Sequence, residues 1–156
     1  MIEIEIPGGE KLEIKFLLLD YNGTMAIDGQ IIDGVKKRFV ELGKKLEIHV
    51  VTADTFGKAR SVLADTPCKL EILEENNQEH QKMEYVKRLG SMNTICLGNG
   101  RNDRLMLKEA ALSIAVILEE GAFPGTLFEA DVVCTSIVSA LDLLLIPKRL
   151  QATLRN

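Results

Sequence analysis

The chain has 156 residues, 46% apolar and 27% charged, which are the proportions of an ordinary folded domain. Its net charge of −4 argues against a nucleic-acid surface. No apolar run reaches the roughly 20 residues that cross a bilayer, so no membrane partner is expected. The opening Met1-Ile2-Glu3-Ile4-Glu5 has neither a basic stretch nor a long apolar core, so the expectation is one cytoplasmic domain over 1–156. Cys68, Cys96 and Cys134 are odd in number and far apart, which fits free thiols better than a disulfide or zinc framework. His49 and His80 lack the neighbours that a metal site needs.

Ile2, Ile4 and Ile6 alternate with Glu3 and Glu5, the period of a half-exposed strand. Pro7-Gly8-Gly9 is a turn, and Leu12, Ile14 and Phe16 resume the alternation. An N-terminal β-hairpin is expected, with its second arm running on into Phe16-Leu17-Leu18-Leu19-Asp20. That continuous apolar run is the signature of a parallel strand covered on both faces. Asp28-Gly29, between short apolar arms, predicts a small hairpin flap just beyond Asp20.

Asp33 can cap a helix to about Leu42, with Val35, Phe39, Val40 and Leu42 as its apolar face and Gly43 as its end. A strand over 46–52 ends on Thr52. Ala53-Asp54-Thr55 then leads into a helix over 56–63. A strand over 69–73, a polar segment over 74–79 and a helix over 81–89 follow. The strand over 93–97 runs into Gly98-Asn99-Gly100-Arg101-Asn102-Asp103, and a helix continues to Leu112. A strand over 113–117, a loop or short helix around Pro124 and a strand over 131–134 come next. A helix capped by Ser136 runs to about Leu145, and Pro147 separates it from a basic helical tail. This alternation predicts an α/β fold, a doubly wound Rossmann-like parallel sheet with helices on both faces.

In such a sheet the carboxyl ends of the strands converge on one edge, where ligands bind. Asp20 with Asn22, Thr52, Lys82, and Asn99 with Asn102 and Asp103 all fall at strand ends or helix starts. A carboxylate nucleophile, a hydroxyl and a lysine at one point are what phosphoryl transfer needs, with a magnesium ion screening carboxylate from phosphate. Each residue has an ordinary alternative role: turn former, cap or solvated lysine. Their order in the chain is what makes the set informative.

Asp20-Tyr21-Asn22-Gly23-Thr24, Val50-Val51-Thr52, Lys82 ahead of Leu89-Gly90, and Gly98-Asn99-Gly100-Arg101-Asn102-Asp103 resemble the four motifs of the haloacid dehalogenase superfamily. Within it, the chain is most similar to small soluble P-type ATPase-like hydrolases, over about 15–140. The resemblance implies Asp20 as a nucleophile that forms an aspartyl-phosphate. It implies phosphate binding by Asp20, Asn22, Gly23, Thr52, Ala53, Lys82 and Asn102. It implies Mg2+ held by Asp20, the Asn22 carbonyl, Asn99 and Asp103. Catalysis would fall to Asp20, Asn22, Thr52 and Lys82.

Two positions depart from the family pattern. Asn22 stands where its phosphatases carry an acid/base Asp, help typically worth about 10²–10⁴-fold, so slow turnover is expected. Asn99 stands where an Asp metal ligand is usual, which weakens the metal site unless Asp103 coordinates directly. The spacing between motifs leaves no room for a cap domain. An open site of that kind suits a phosphorylated small molecule or a bulky phosphorylated substrate, and is sometimes closed by assembly into a homo-oligomer. The alternative is a phosphate-binding or phospho-accepting regulatory module. A two-component receiver domain fits less well, because its phosphoacceptor lies on a later strand.

Overall fold

Residues 1–54 and 56–156 are described by a computed structural model. Thr55, read from sequence as part of the lead into a helix, lies outside the described residues. The central sheet is formed by β3 (Phe16–Asp20), β6 (Glu47–Thr52), β7 (Cys68–Ile72), β8 (Thr94–Gly98), β9 (Leu112–Val116) and β10 (Val132–Cys134). Their order is β10-β9-β8-β3-β6-β7, and every pairing is parallel. The strand that carries Asp20 is therefore flanked on both sides.

Alternate residues of these strands enter two separate cores, which explains the unbroken apolar runs. Leu17 and Leu19 of β3, Ile48 and Val50 of β6, and Ile95 and Leu97 of β8 point to one face. Leu18, Val51 and Cys96 point to the other. The first face is covered by α1 (Val35–Gly43), α2 (Ala59–Leu63) and α6 (Ile137–Leu145), through residues such as Phe39, Leu63 and Leu141. The second is covered by α3 (Gln78–Leu89) and α4 (Arg104–Glu109), through Tyr85, Val86, Met106 and Leu107. Helices α5 (Pro124–Glu129) and α7 (Pro147–Leu154) complete the chain.

The N-terminal hairpin, β1 (Ile2–Glu5) with β2 (Lys11–Ile14), is a separate two-stranded sheet, so its second arm is not the central strand itself. The chain changes partners at Lys15. Its N–H donates to the Asn93 carbonyl and its carbonyl accepts from Glu47 N–H, which starts the pairing that β3 continues. The expected flap is present as β4 (Ala26–Ile27) and β5 (Gln30–Ile31). Asp28 and Gly29 both have positive φ, 51° and 77°, as a type I′ hairpin turn requires.

Several boundaries differ from the sequence expectation. Gly34, at φ 86°, precedes α1 and Asp33 makes no cap bond, because the turn out of the flap needs the left-handed backbone there. Val40 faces solvent, at 51% exposure, so the apolar face of α1 is Val35, Phe39 and Leu42. Helix α2 begins only at Ala59, and α3 begins three residues earlier than expected, at Gln78. Helix α4 stops at Glu109, and Leu112 opens β9. Ser136 does cap α6, accepting from Ser139 N–H at 3.3 Å. Among the described residues no helix is long and apolar enough to cross a membrane.

Candidate active site

Asp20 closes β3 at the carboxyl edge of the sheet and is 7% exposed. The chain then folds back on itself: Met25 and Ala26 N–H donate to the Tyr21 carbonyl, and Gly23 N–H donates to that of Ala26. Gly23 sits at φ 77°, and a Cβ there would stand 2.5 Å from Asn99 Nδ2. The motif needs glycine at this point for both its backbone and its space.

Lys82 reaches the same place from α3 and is fully buried. Its Nζ donates to Asp20 Oδ1 and to Asp103 Oδ1, each at 2.6 Å. A lysine this enclosed needs partners, and here two carboxylates share it. Asp103 Oδ2 in turn accepts from the N–H groups of Asn99 (2.9 Å) and Gly100 (2.8 Å). Gly98 makes this possible, since a Cβ on it would lie 2.5 Å from that of Asp103. Asp103 was expected in the metal shell. Its carboxylate lies fully buried beneath the Asn99 loop, with both oxygens already accepting from these donors.

Burial and the facing Asp103 carboxylate push the Asp20 carboxyl up to about 6, against the opposing pull of Lys82. For Lys82, burial opposes the charged form, but Asp103 and Asp20 outweigh it and hold the ammonium above its ordinary value. Both groups are thus shifted the same way: the carboxyl of Asp20 is harder to ionise than usual, and the ammonium of Lys82 is harder to deprotonate.

A cavity of about 190 Å³ opens above this pair, lined in part by Asn22, Thr52, Ala53, Asn99 and Asn102. Thr52 is buried at the end of β6, and its Oγ1 accepts from Asp54 N–H at 3.0 Å. Asn102 Nδ2 donates to Gln78 Oε1 at 2.8 Å, which ties the fourth motif to the start of α3. Asn22 Oδ1 accepts from Gly29 N–H at 3.0 Å, so this amide is fastened to the flap. A larger cavity, about 550 Å³, lies around the amino ends of β6 and β7, at the opposite edge of the sheet. It gathers none of these groups.

Four contributors were given no role in the sequence reading. Thr24 is fully buried, and its Oγ1 lies 3.3 Å from Asp20 Oδ2 and 3.1 Å from Asn99 Oδ1. Thr24 stands in the first motif, which was the signal available for it. Thr126 Oγ1 donates to the Gly100 carbonyl at 2.7 Å and braces the fourth motif from α5. Gln78 and Glu120 line the cavity with no motif to announce them.

Asp20, Asn22 and Asn99 line the mouth, so the oxygens available to it come from a carboxylate and from neutral amide and carbonyl groups. These are hard ligands of the kind magnesium takes, and a magnesium site keeps several of its waters. Asn99 Oδ1 is held toward Asp20 through Thr24, and the missing Cβ of Gly23 leaves room beside it. The donor set fits a divalent cation.

The fold has counterparts among solved structures. It is shared with a cobalt-bound deoxy-D-mannose-octulosonate 8-phosphate phosphatase from Haemophilus influenzae, at TM-score 0.72 and 18% identity over 88% of this chain and 90% of that one. A 3-deoxy-D-manno-octulosonate 8-phosphate phosphatase from Moraxella catarrhalis, in complex with magnesium, phosphate and KDO, matches at TM-score 0.65 and 17% identity over 85% and 86% of the two chains. A HAD family hydrolase from Streptomyces avermitilis matches at TM-score 0.64 and 18% identity over 87% of each. No protein-family model matches the sequence. The chain belongs to the same family as the uncharacterized protein MJ0073 of Methanocaldococcus jannaschii, with 44% identity over 88 residues, 56% of this chain and 85% of that protein.

Proposed function

We propose that the protein is a Mg2+-dependent phosphohydrolase working through an aspartyl-phosphate on Asp20. The observation that carries this reading is the buried Lys82 ammonium, 2.6 Å from a carboxylate at the end of the central strand, at the floor of a polar cavity. An Asp20 oxygen attacks phosphorus as the bond to the leaving oxygen breaks. Thr52 and the N–H groups of the first and second motifs hold the equatorial oxygens. Lys82 offsets their charge, and the Asn102 amide borders the same space. Magnesium, held by Asp20, the Asn22 carbonyl and Asn99, would supply charge neutralisation between nucleophile and phosphate. Relatives in fold that bear phosphatase names, one of them in complex with magnesium and phosphate, support the assignment.

Turnover is slow on this reading, because no carboxyl stands at Asn22 to protonate the leaving group and then activate water. Asp103 is a positioning residue: it aligns Lys82 and the Asn99–Gly100 backbone from behind. The substrate is a phosphorylated small molecule or a bulky phosphorylated group entering an open mouth, and a homo-oligomer would cover that mouth. Light scattering checks the last point, and a monomer at working concentration counts against it.

A second reading, a phosphate-binding or phospho-accepting regulatory module, draws support from Asn22. The position of the acid/base group is here a fastening for the flap. Hydrolysis of an aryl phosphate with and without Mg2+, by wild type and Asp20→Asn, separates the two. Metal-dependent release that is lost in the variant supports the enzyme. No release by the wild type favours the module.

A further inference from the structure

We infer that Glu120 provides the anionic oxygen that Asn99 lacks, so that the cation site beside Asp20 takes one of its carboxylates from the turn after β9. This rests on the reading of the site as metal-dependent. Divalent sites are tuned by the number of charged ligands as well as by geometry. The Asn22 carbonyl and the Asn99 amide are neutral, and the Asp20 charge is already shared with Lys82. Asp103 is sequestered under the loop. A cation at this mouth therefore meets too little negative charge from the four motifs alone. Of the residues lining the cavity, two are acidic, Asp20 and Glu120.

Glu120 is placed there by more than proximity in sequence. It lies in a tight turn closed by Gly121 N–H donating to the Leu118 carbonyl at 2.8 Å, with Gly121 at φ 72°. Two bonds bolt this turn to Asn99. Asn99 Nδ2 donates to the Gly121 carbonyl at 3.1 Å, and Phe123 N–H donates to the Asn99 carbonyl at 2.9 Å. The result is visible at Gly23. A Cβ there would stand 2.6 Å from Glu120 Oε2 and 2.8 Å from Asn99 Oδ1, so both side chains lean over one point of the first motif. The Glu120 carboxylate has no hydrogen bond or ion pair to another side chain among the described residues. Being exposed, it can close on a cation without first burying an uncompensated charge.

The test is Mn2+ binding, followed by calorimetry and by the electron paramagnetic resonance of free Mn2+. The proteins are wild type, Glu120→Gln, Asn99→Asp and the double variant, with Glu119→Gln as the control from the same turn. Glu120→Gln should weaken Mn2+ binding about tenfold or more, the loss expected for one charged ligand. In the Asn99→Asp background the same change should cost far less, and Glu119→Gln should leave binding unchanged. Wild-type binding retained in full by Glu120→Gln overturns the inference and leaves the metal-dependent reading standing. So does a variant that loses hydrolysis while keeping its Mn2+ affinity, since Glu120 would then act on a proton. A wild type that binds no Mn2+ overturns the metal-dependent reading itself, and the inference with it.

Discussion

Asn22 and Gly29 are joined by a hydrogen bond of 3.0 Å, from the flap's backbone N–H to the amide oxygen of the first motif. Tyr21 grips the same residue, its hydroxyl donating to the Gly29 carbonyl at 3.0 Å. The flap is thus held by both of its tip's polar groups, and one of the two clamps is the side chain that sequence comparison would have made an acid.

Replacing Asn22 by Asp should raise turnover without freeing the flap. One carboxylate oxygen can keep the bond from Gly29 while the other faces the leaving group. The gain expected for general acid–base help is about 10²-fold or more. Steady-state hydrolysis of an aryl phosphate reads it, and an unchanged kcat in a folded variant would sink this account of slow turnover.

Lys82→Met should destabilise the protein severely. It removes the cation between two buried carboxylates and leaves them facing each other, a loss of roughly 3–5 kcal/mol for a broken buried pair. Urea unfolding checks this. A variant within about 1 kcal/mol of wild type would mean that water reaches the site freely.

The metal-free protein should lose stability relative to Asp20→Asn as pH rises. The Asp20 carboxyl is raised from 3.8 to about 6 in the fold, so the folded state holds its proton more tightly than the unfolded chain does. Its contribution is therefore fully present below about pH 3.8 and is lost as pH climbs through 6. A shift of that size is on the order of 3 kcal/mol. Parallel denaturation curves for the two proteins between pH 4 and 8 would expose the difference, and flat parallel profiles would contradict it.

Gly23→Ala should weaken both the fold and cation binding. The backbone at φ 77° disfavours any side chain, and the new methyl meets Asn99 and Glu120 at distances that no contact tolerates. The strain alone costs about 1 kcal/mol or more. A thermal melt and a Mn2+ titration measure the two effects, and a variant with unaltered Mn2+ affinity would show that the mouth relaxes around the methyl.

The sheet was readable because burial on both faces writes itself as uninterrupted runs such as Phe16-Leu17-Leu18-Leu19. The flap was readable because Asp28-Gly29 is chemistry for one kind of turn. Lys15 was not, since nothing local marks where a strand exchanges one partner for another. Asp33 looked like a cap, but the backbone leaving the flap needed Gly34 to turn left-handed. In the site, sequence brought forward the residues that stand in motifs and was silent on orientation. Whether Asp103 faces the mouth or the floor depends on the missing Cβ of Gly98, seen only when the loop is closed. Glu120 had no signal, because its place comes from bonds between distant loops rather than from spacing.

Lys82 is the one lysine that the described residues enclose completely, and its neighbours hold it protonated. Acylating reagents need a neutral, reachable amine, so this side chain is shielded twice. In native protein its peptide should stay unlabelled while surface lysines react. Any condition that opens the floor of the site would then leave a covalent mark at a single known position, a built-in recorder that needs neither substrate nor metal to be read.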